Sequence, residues 1–186
     1  HRLLTGLMGN RRVVITGMGM ISAVGVDVAS SWNALRTGQS GIGPIESLDT
    51  TPMRFKNGAE VRGFQLDQHF PGGKGDALDR FAQFAVVAAR QALADSHLEI
   101  TPRLAEKTAV ITGSCIGGQT STDLGYLSLY QKNSNRMHPL SILRAMANAG
   151  ASHISMEFGL QGPAYTVSSA CSSSNHAIGQ AFWMVR

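Results

Sequence analysis

The chain has 186 residues, of which 43% are apolar and 15% charged, enough for one domain with a buried core. Its net charge of +4, with no Lys/Arg run, argues against a nucleic-acid surface and leaves room for an acidic partner. Two cysteines, Cys115 and Cys171, allow at most one bridge and exclude a secreted disulfide framework, so a reducing cytoplasm is the expected compartment. No apolar run reaches membrane-spanning length.

Residues 1–10 do not share the pattern that follows and read as a tag remnant or short leader; the domain is expected over 11–186. Arg12 to Met20 is a near-continuous apolar run ending in glycines, which predicts a strand buried on both faces. The Gly17 and Gly19 spacing resembles a dinucleotide fingerprint, but Ser22 stands where a third glycine belongs and no acidic strand end follows. A tight strand-to-loop turn is the plainer reading. Asp27 predicts the cap of a helix running to Arg36, stopped by Gly38. From Gln39 to Gly75 the chain is rich in Gly and Pro and reads as a long loop with one short strand at Ala59 to Val61.

Asp76 to Ser96 predicts a strong amphipathic helix, with Leu78, Phe81, Ala85, Ala88, Ala92 and Leu93 on one stripe. Thr101-Pro102 opens a short turn of helix. Lys107 to Thr112 predicts a second strand, followed by the glycine turn Gly113-Ser-Cys-Ile-Gly-Gly118. Thr120 to Gln131 reads as helix, Lys132 to Pro139 as loop, and Leu140 to Phe158 as one continuous helix with small residues on one side. Gly159 and Gly162-Pro163 break the chain before a strand at Tyr165 to Val167. The alternation predicts a layered α/β domain.

The chain then reaches Ser168-Ser-Ala-Cys171 and an apolar helical pattern through Ala177, Ile178, Ala181 and Phe182. A cysteine at a strand-to-helix junction meets unpaired N–H groups and a partial positive charge, both of which favour the nucleophilic thiolate. Cys171 is therefore the candidate nucleophile, against the common alternative of an inert buried thiol. His176 lies five residues on, about 140° around a helix, and so cannot be its local base. His138 and His153 have no orienting carboxylate at useful spacing. No paired Cys/His spacing predicts a metal site, and no cofactor is implied.

Several ordered stretches resemble one family. They are Val13-Val-Ile-Thr-Gly-Met-Gly-Met20, Trp32-Asn-Ala-Leu35 with Gly38-Gln-Ser-Gly-Ile42, and Asp79-Arg-Phe81 with Ala88-Ala-Arg-Gln-Ala-Leu93. Gly113 to Gly118, Asn148-Ala-Gly150, Gly162-Pro163 and Ser169-Ala-Cys-Ser-Ser follow in order. Together they resemble the N-terminal part of an elongating β-ketoacyl-acyl-carrier-protein synthase. The resemblance implies a thiolase-like fold, truncated after the nucleophile helix, and a homodimer with much of its contact on Leu140 to Phe158.

It implies that Cys171 accepts an acyl group from an acyl carrier protein and supplies one backbone oxyanion donor. A malonyl thioester then loses CO2 and its carbanion attacks the acyl-enzyme. Ile116 and Gly117 are expected to border the acyl pocket. Cys115 replaces a usual glycine there, and Lys74 alone remains of a basic carrier-contact turn. The family's catalytic histidines, active-site lysine and second oxyanion donor belong to its C-terminal half, so this chain alone is expected to be inactive. The helix from Ile178 to Val185, apolar all round, is expected to lack half its cover. A non-catalytic partner subunit of the same fold is the alternative reading.

Overall fold

A computed structural model describes residues 11–186; the leader or tag expected over residues 1–10 lies outside the described residues. Helix α1 is Val28–Arg36, and Asp27 caps it as expected. Its carboxylate accepts the Ser30 N–H at 2.7 Å, which holds the Asp27 carboxyl below the usual range. Strands β1 (Gly43–Pro44) and β2 (Asn57–Gly58) pair antiparallel. The strand expected at Ala59 to Val61 is thus displaced toward the N-terminus. The Glu60 carboxylate accepts the N–H groups of Glu46 and Ser47 at 2.8 and 3.2 Å, so a side chain stands where the ladder would continue.

Helix α2 is Leu66–His69, followed by 3-10 turns over Pro71–Ala77. Helix α3 is Arg80–Ser96. It begins four residues later than expected, because Asp79 is its N-cap and Asp76 belongs to the preceding turns. Helix α4 (Pro102–Lys107) opens with the Thr101 cap and first-turn proline that the sequence predicts. Strand β3 is Val110–Gly113, helix α5 Gln119–Tyr126 with a π-type extension Leu127–Gln131, and helix α6 Ser141–Ala145. Helix α7 is Ala149–Phe158, closed by Gly159 in the left-handed region; β4 is Ala164–Val167 and α8 is Ser173–Val185.

The single helix expected over Leu140 to Phe158 is two helices. In a continuous helix the Ala145 carbonyl would accept the Ala149 N–H. Instead it accepts the Gly118 N–H at 3.0 Å, and Ala149 donates to Met146 at 3.1 Å. The glycine turn after β3 therefore occupies the gap between α6 and α7.

β3 and β4 are adjacent and parallel, with Gly113 opposite Val167, and α5, α6 and α7 make the crossover between them. The core lies where α3 packs on α7: Ala82, Val86, Val87 and Ala149, with Phe70 and Leu78 beside them. Arg90 ties the layer's edge. It pairs with Glu157 at 2.6 Å, donates to the His69 carbonyl at 2.6 Å and lies over the Phe70 ring.

His153, half-buried on α7, has its pKa lowered from 6.5 by burial. The unfolded chain then takes a proton more readily than the folded one. Stability is therefore complete above pH 6.5 and declines as pH falls below it. Glu157, held below 4.5 by its hydrogen bond from Arg90, adds loss in the same direction below pH 4.5. Urea melts of the natural full-length protein from about pH 7.5 to about 5 should show the first loss, and His153→Gln should flatten it. An unchanged slope in that variant would assign the loss to other groups.

Arg12 to Met20 forms no helix and pairs with no strand among the described residues. Its outer side is exposed, with Ile15 at 81%, so the expectation of burial on both faces does not hold within the described residues. α3 side chains hold the segment instead: the Met18 N–H donates to Asp95 at 2.8 Å and the Met20 N–H to Gln91 at 2.9 Å. A Cβ at Gly17 or Gly19 would lie 2.1 or 1.8 Å from an α3 carbonyl oxygen. These glycines serve close helix approach, which removes the dinucleotide reading.

Candidate active site

β3 and β4 end side by side, and the turns that leave them run over the same end of the sheet. The carboxyl ends of adjacent parallel strands are where α/β folds place their sites. Ile116 and Gly117 sit on the turn after β3; Cys171 sits on the turn after β4. Ser114 N–H donates to the Val167 carbonyl at 3.1 Å and joins the two turns at their base. Thr112 and Thr166 hydroxyls meet at 2.7 Å one residue below.

The Cys171 turn is braced at each step. Ala170 has φ 52, a left-handed conformation that costs an L-residue about 1–2 kcal/mol. Ser172 and Ser173 N–H groups close onto the carbonyls of Ser169 and Ala170, each at 3.1 Å. The buried Ser173 hydroxyl donates to the Ala170 carbonyl at 2.6 Å and accepts the Ser169 N–H at 2.9 Å. His176, on the first turns of α8, bonds the Ser169 hydroxyl through Nδ1 at 2.7 Å. It is a brace of the turn, in line with the structural role expected of it. The two serine braces are short-range, spanning three and four residues, but the strain at Ala170 has no signature in the residue types around it.

What remains free is the part that matters chemically. The Cys171 side chain is exposed, and its N–H has no acceptor among the described residues. Helix α8 starts two residues on and has no side-chain cap; its Ser173 N–H goes to the Ala170 carbonyl, and the Ser174 and Asn175 N–H groups have no acceptor among the described residues. The helix begins at Ser173 and not at Cys171, which leaves the cysteine just ahead of the helix rather than in its first turn.

Gly113 sets this geometry. A Cβ there would lie 2.4 Å from the Ser174 nitrogen and 2.5 Å from the Ser173 carbonyl carbon, both backbone. Gly113→Ala is therefore expected to push α8 off β3, destabilise the fold by about 1–3 kcal/mol and shift the Cys171 turn. Denaturant melts and the labelling rate of Cys171 would register both effects; wild-type values for both would contradict this packing. Gly117 has φ 81 and sits against the Ala145 oxygen at the α6–α7 break, so backbone lies at that edge of the turn. Ile116 is 64% exposed, open to the same end of the sheet rather than buried.

Cys115 is exposed on the glycine turn and, like Cys171, is a free thiol. His138 lies in the loop before α6, and His153 on α7 lines a separate cleft with Arg90 and Glu157. A cavity of about 470 Å³ on the α3 side of β3, lined by Met20, Phe81, Phe84 and Ser114, reaches the base of the glycine turn but not Cys171. Among the described residues no three His, Cys, Asp or Glu side chains are grouped to hold a metal.

Residues 10–186 match the model of the β-ketoacyl synthase N-terminal domain. The chain belongs to the β-ketoacyl synthase family. Its relatives include 3-oxoacyl-[acyl-carrier-protein] synthase 2 of Vibrio cholerae serotype O1, 39% identical over 96% of this chain and 43% of that protein. The protein of the same name from Staphylococcus aureus strain COL is 33% identical over 95% of this chain and 43% of its own length. Among solved structures, the ishigamide ketosynthase/chain length factor superposes with a TM-score of 0.86 at 30% identity, covering 95% of this chain and 44% of that one. A β-ketoacyl synthase from Burkholderia phymatum STM815, at TM-score 0.78 and 24% identity, shares the fold. The thiolase-like fold expected from the sequence is therefore present, and the chain spans less than half the length of these relatives.

Proposed function

We propose that this chain is the nucleophile-bearing part of a 3-oxoacyl-[acyl-carrier-protein] synthase. The observation that carries the reading is Cys171 itself: an exposed thiol on a strained, braced turn, with an N–H that has no acceptor among the described residues, at the carboxyl end of β4. The thiolate attacks the carbonyl carbon of an acyl thioester on the carrier protein. The carrier's thiolate leaves and takes up a proton, and the acyl group stays on Cys171 as a thioester. The free Cys171 N–H is one donor for the oxyanion formed in between, a contribution of about 3 kcal/mol in acyl-transfer enzymes. In the condensing step a malonyl thioester loses CO2, its carbanion forms the new C–C bond, and Cys171 is released as the leaving thiolate. The described histidines serve elsewhere: His176 bonds the Ser169 hydroxyl, His138 accepts the Leu140 N–H and His153 lines a separate cleft; this chain by itself supplies the acyl-accepting half and is inactive in condensation.

The same reading takes the acyl carrier protein as partner and Ile116 and Gly117 as the rim of the acyl pocket; the Lys74 turn, with one basic residue left, is not assigned to that contact. It places the protein in the cytoplasm; no helix among the described residues is long and apolar enough to cross a membrane. It makes the protein a homodimer, and the exposed apolar side chains of Ile142, Leu143 and Tyr130 around α6 support a protein contact there. Exposed Ile178, Trp183 and Val185 on α8 mark a second uncovered face, as the all-round apolar pattern predicts.

Labelling with an acyl-thioester mimic, read by mass spectrometry, tests the proposal. Both cysteines are exposed, so access alone does not separate them. Modification of Cys171 well ahead of Cys115 is expected. Equal labelling of the two, at the rate of the unfolded chain, would leave the non-catalytic partner subunit as the better reading.

A further inference from the structure

The loop 132–139 closes over α5 and α6 and forms a small cavity of about 150 Å³. Arg136 and His138 reach it from the loop, Arg144 from α6, and Ser121, Ser128 and Ser141 line the rest of its polar wall. No Asp or Glu lines it. The carboxylates on the neighbouring elements are engaged elsewhere: Asp79 accepts the Phe81 and Ser121 N–H groups, and Asp123 accepts from the Gln119 amide. Arg144 Nε is buried and has no hydrogen-bond partner among the described residues. His138 Nδ1 accepts the Leu140 N–H at 3.1 Å, which puts the imidazole proton on Nε2 and makes that atom a donor.

Two guanidinium groups, an imidazole N–H and the Ser121 and Ser128 hydroxyls, with no carboxylate opposite, are a donor set that lacks its acceptor; the Ser141 hydroxyl donates to the His138 carbonyl. A buried guanidinium N–H left unpaired is costly, and folded proteins supply such a group with a partner. The cavity is small beside the roughly 300–1,000 Å³ of organic-ligand clefts. We infer that it is a site for one compact oxyanion of the phosphate or sulfate class, held by Arg144 and Arg136. Arginine forks match such oxyanions through paired N–H donors. This site is separate from the Cys171 turn and does not depend on the acyl-transfer reading.

The test is calorimetric titration of inorganic phosphate into the natural full-length protein, with ionic strength held constant by chloride. Saturable binding is expected, weakened about ten-fold or more in Arg144→Met and weakened also in Arg136→Met. Arg136 is on the exposed loop, so its variant keeps the test valid if Arg144→Met folds poorly. Lys107→Met, remote on α4, should bind as wild type. Absence of saturable binding, or wild-type affinity in both arginine variants, would overturn the site. Methyl phosphate separates the sources. Binding equal to that of phosphate assigns a phosphate ester, exclusion of the ester assigns the free anion, and either result upholds the oxyanion site.

Discussion

Cys171→Ala is expected to lower acyl-enzyme formation by on the order of 10^4-fold or more, because no other group can carry the acyl chain as a thioester at that position. The side chain is exposed, so the same variant should change stability by no more than about 0.5 kcal/mol. Those two results together separate a chemical role from a structural one. Cys115→Ala is the matched control: it removes the other exposed thiol and should leave acylation within a few-fold of wild type. Rapid-quench mass spectrometry of the full-length protein with an acyl-carrier thioester gives the rates. Unchanged acylation in Cys171→Ala would remove the proposed nucleophile.

Asp79→Ala is expected to destabilise the protein by about 2–4 kcal/mol. The residue is 4% exposed and caps two helices at once. Its Oδ1 accepts the Phe81 N–H at the start of α3, at 3.3 Å, and its Oδ2 accepts the Ser121 N–H in the first turn of α5, at 2.7 Å. α5 has Gly118 at its own N-cap, with no side chain to offer, so Asp79 performs that function from across the fold. Each lost cap is worth about 1 kcal/mol, and the buried donors left behind add to the cost. Asp79→Asn keeps one acceptor oxygen and should lose about half as much. Urea midpoints of the three proteins test this; equal midpoints for wild type and Asp79→Ala would show that α5 finds another cap.

Asp79 also shows where reading the chain alone reaches its limit. Its service to α3 is local, yet Asp76, three residues earlier, offers the same carboxylate ahead of the apolar stripe, and the expected start fell there. Its service to α5, 42 residues away, follows from nothing local. The break between α6 and α7 is similar: the small and apolar residues from Leu140 to Phe158 suit a continuous helix, and only the approach of Gly118 to the Ala145 carbonyl divides it. Arg12 to Met20 has the composition of a central strand, yet its N–H groups at Met18 and Met20 go to side chains of α3. Where the competing partner was local, as at the Asp27 cap, the Thr101-Pro102 start and the Gly159 stop, the sequence pattern was sufficient.

The candidate site divides along the same line. The order of motifs along the chain was enough to establish the family, the α/β layering and Cys171 as the residue to consider, because each rests on near neighbours and on periodicity. Two features were decided only by tertiary structure. Gly113 lets α8 touch β3, and parallel pairing of β3 with β4 carries the Ile116 and Cys171 turns to one end of the sheet. The physical reason is range. Propensity and capping act over a few residues, whereas a backbone packed against backbone, or a hydrogen bond between distant turns, exists only after the chain has closed on itself.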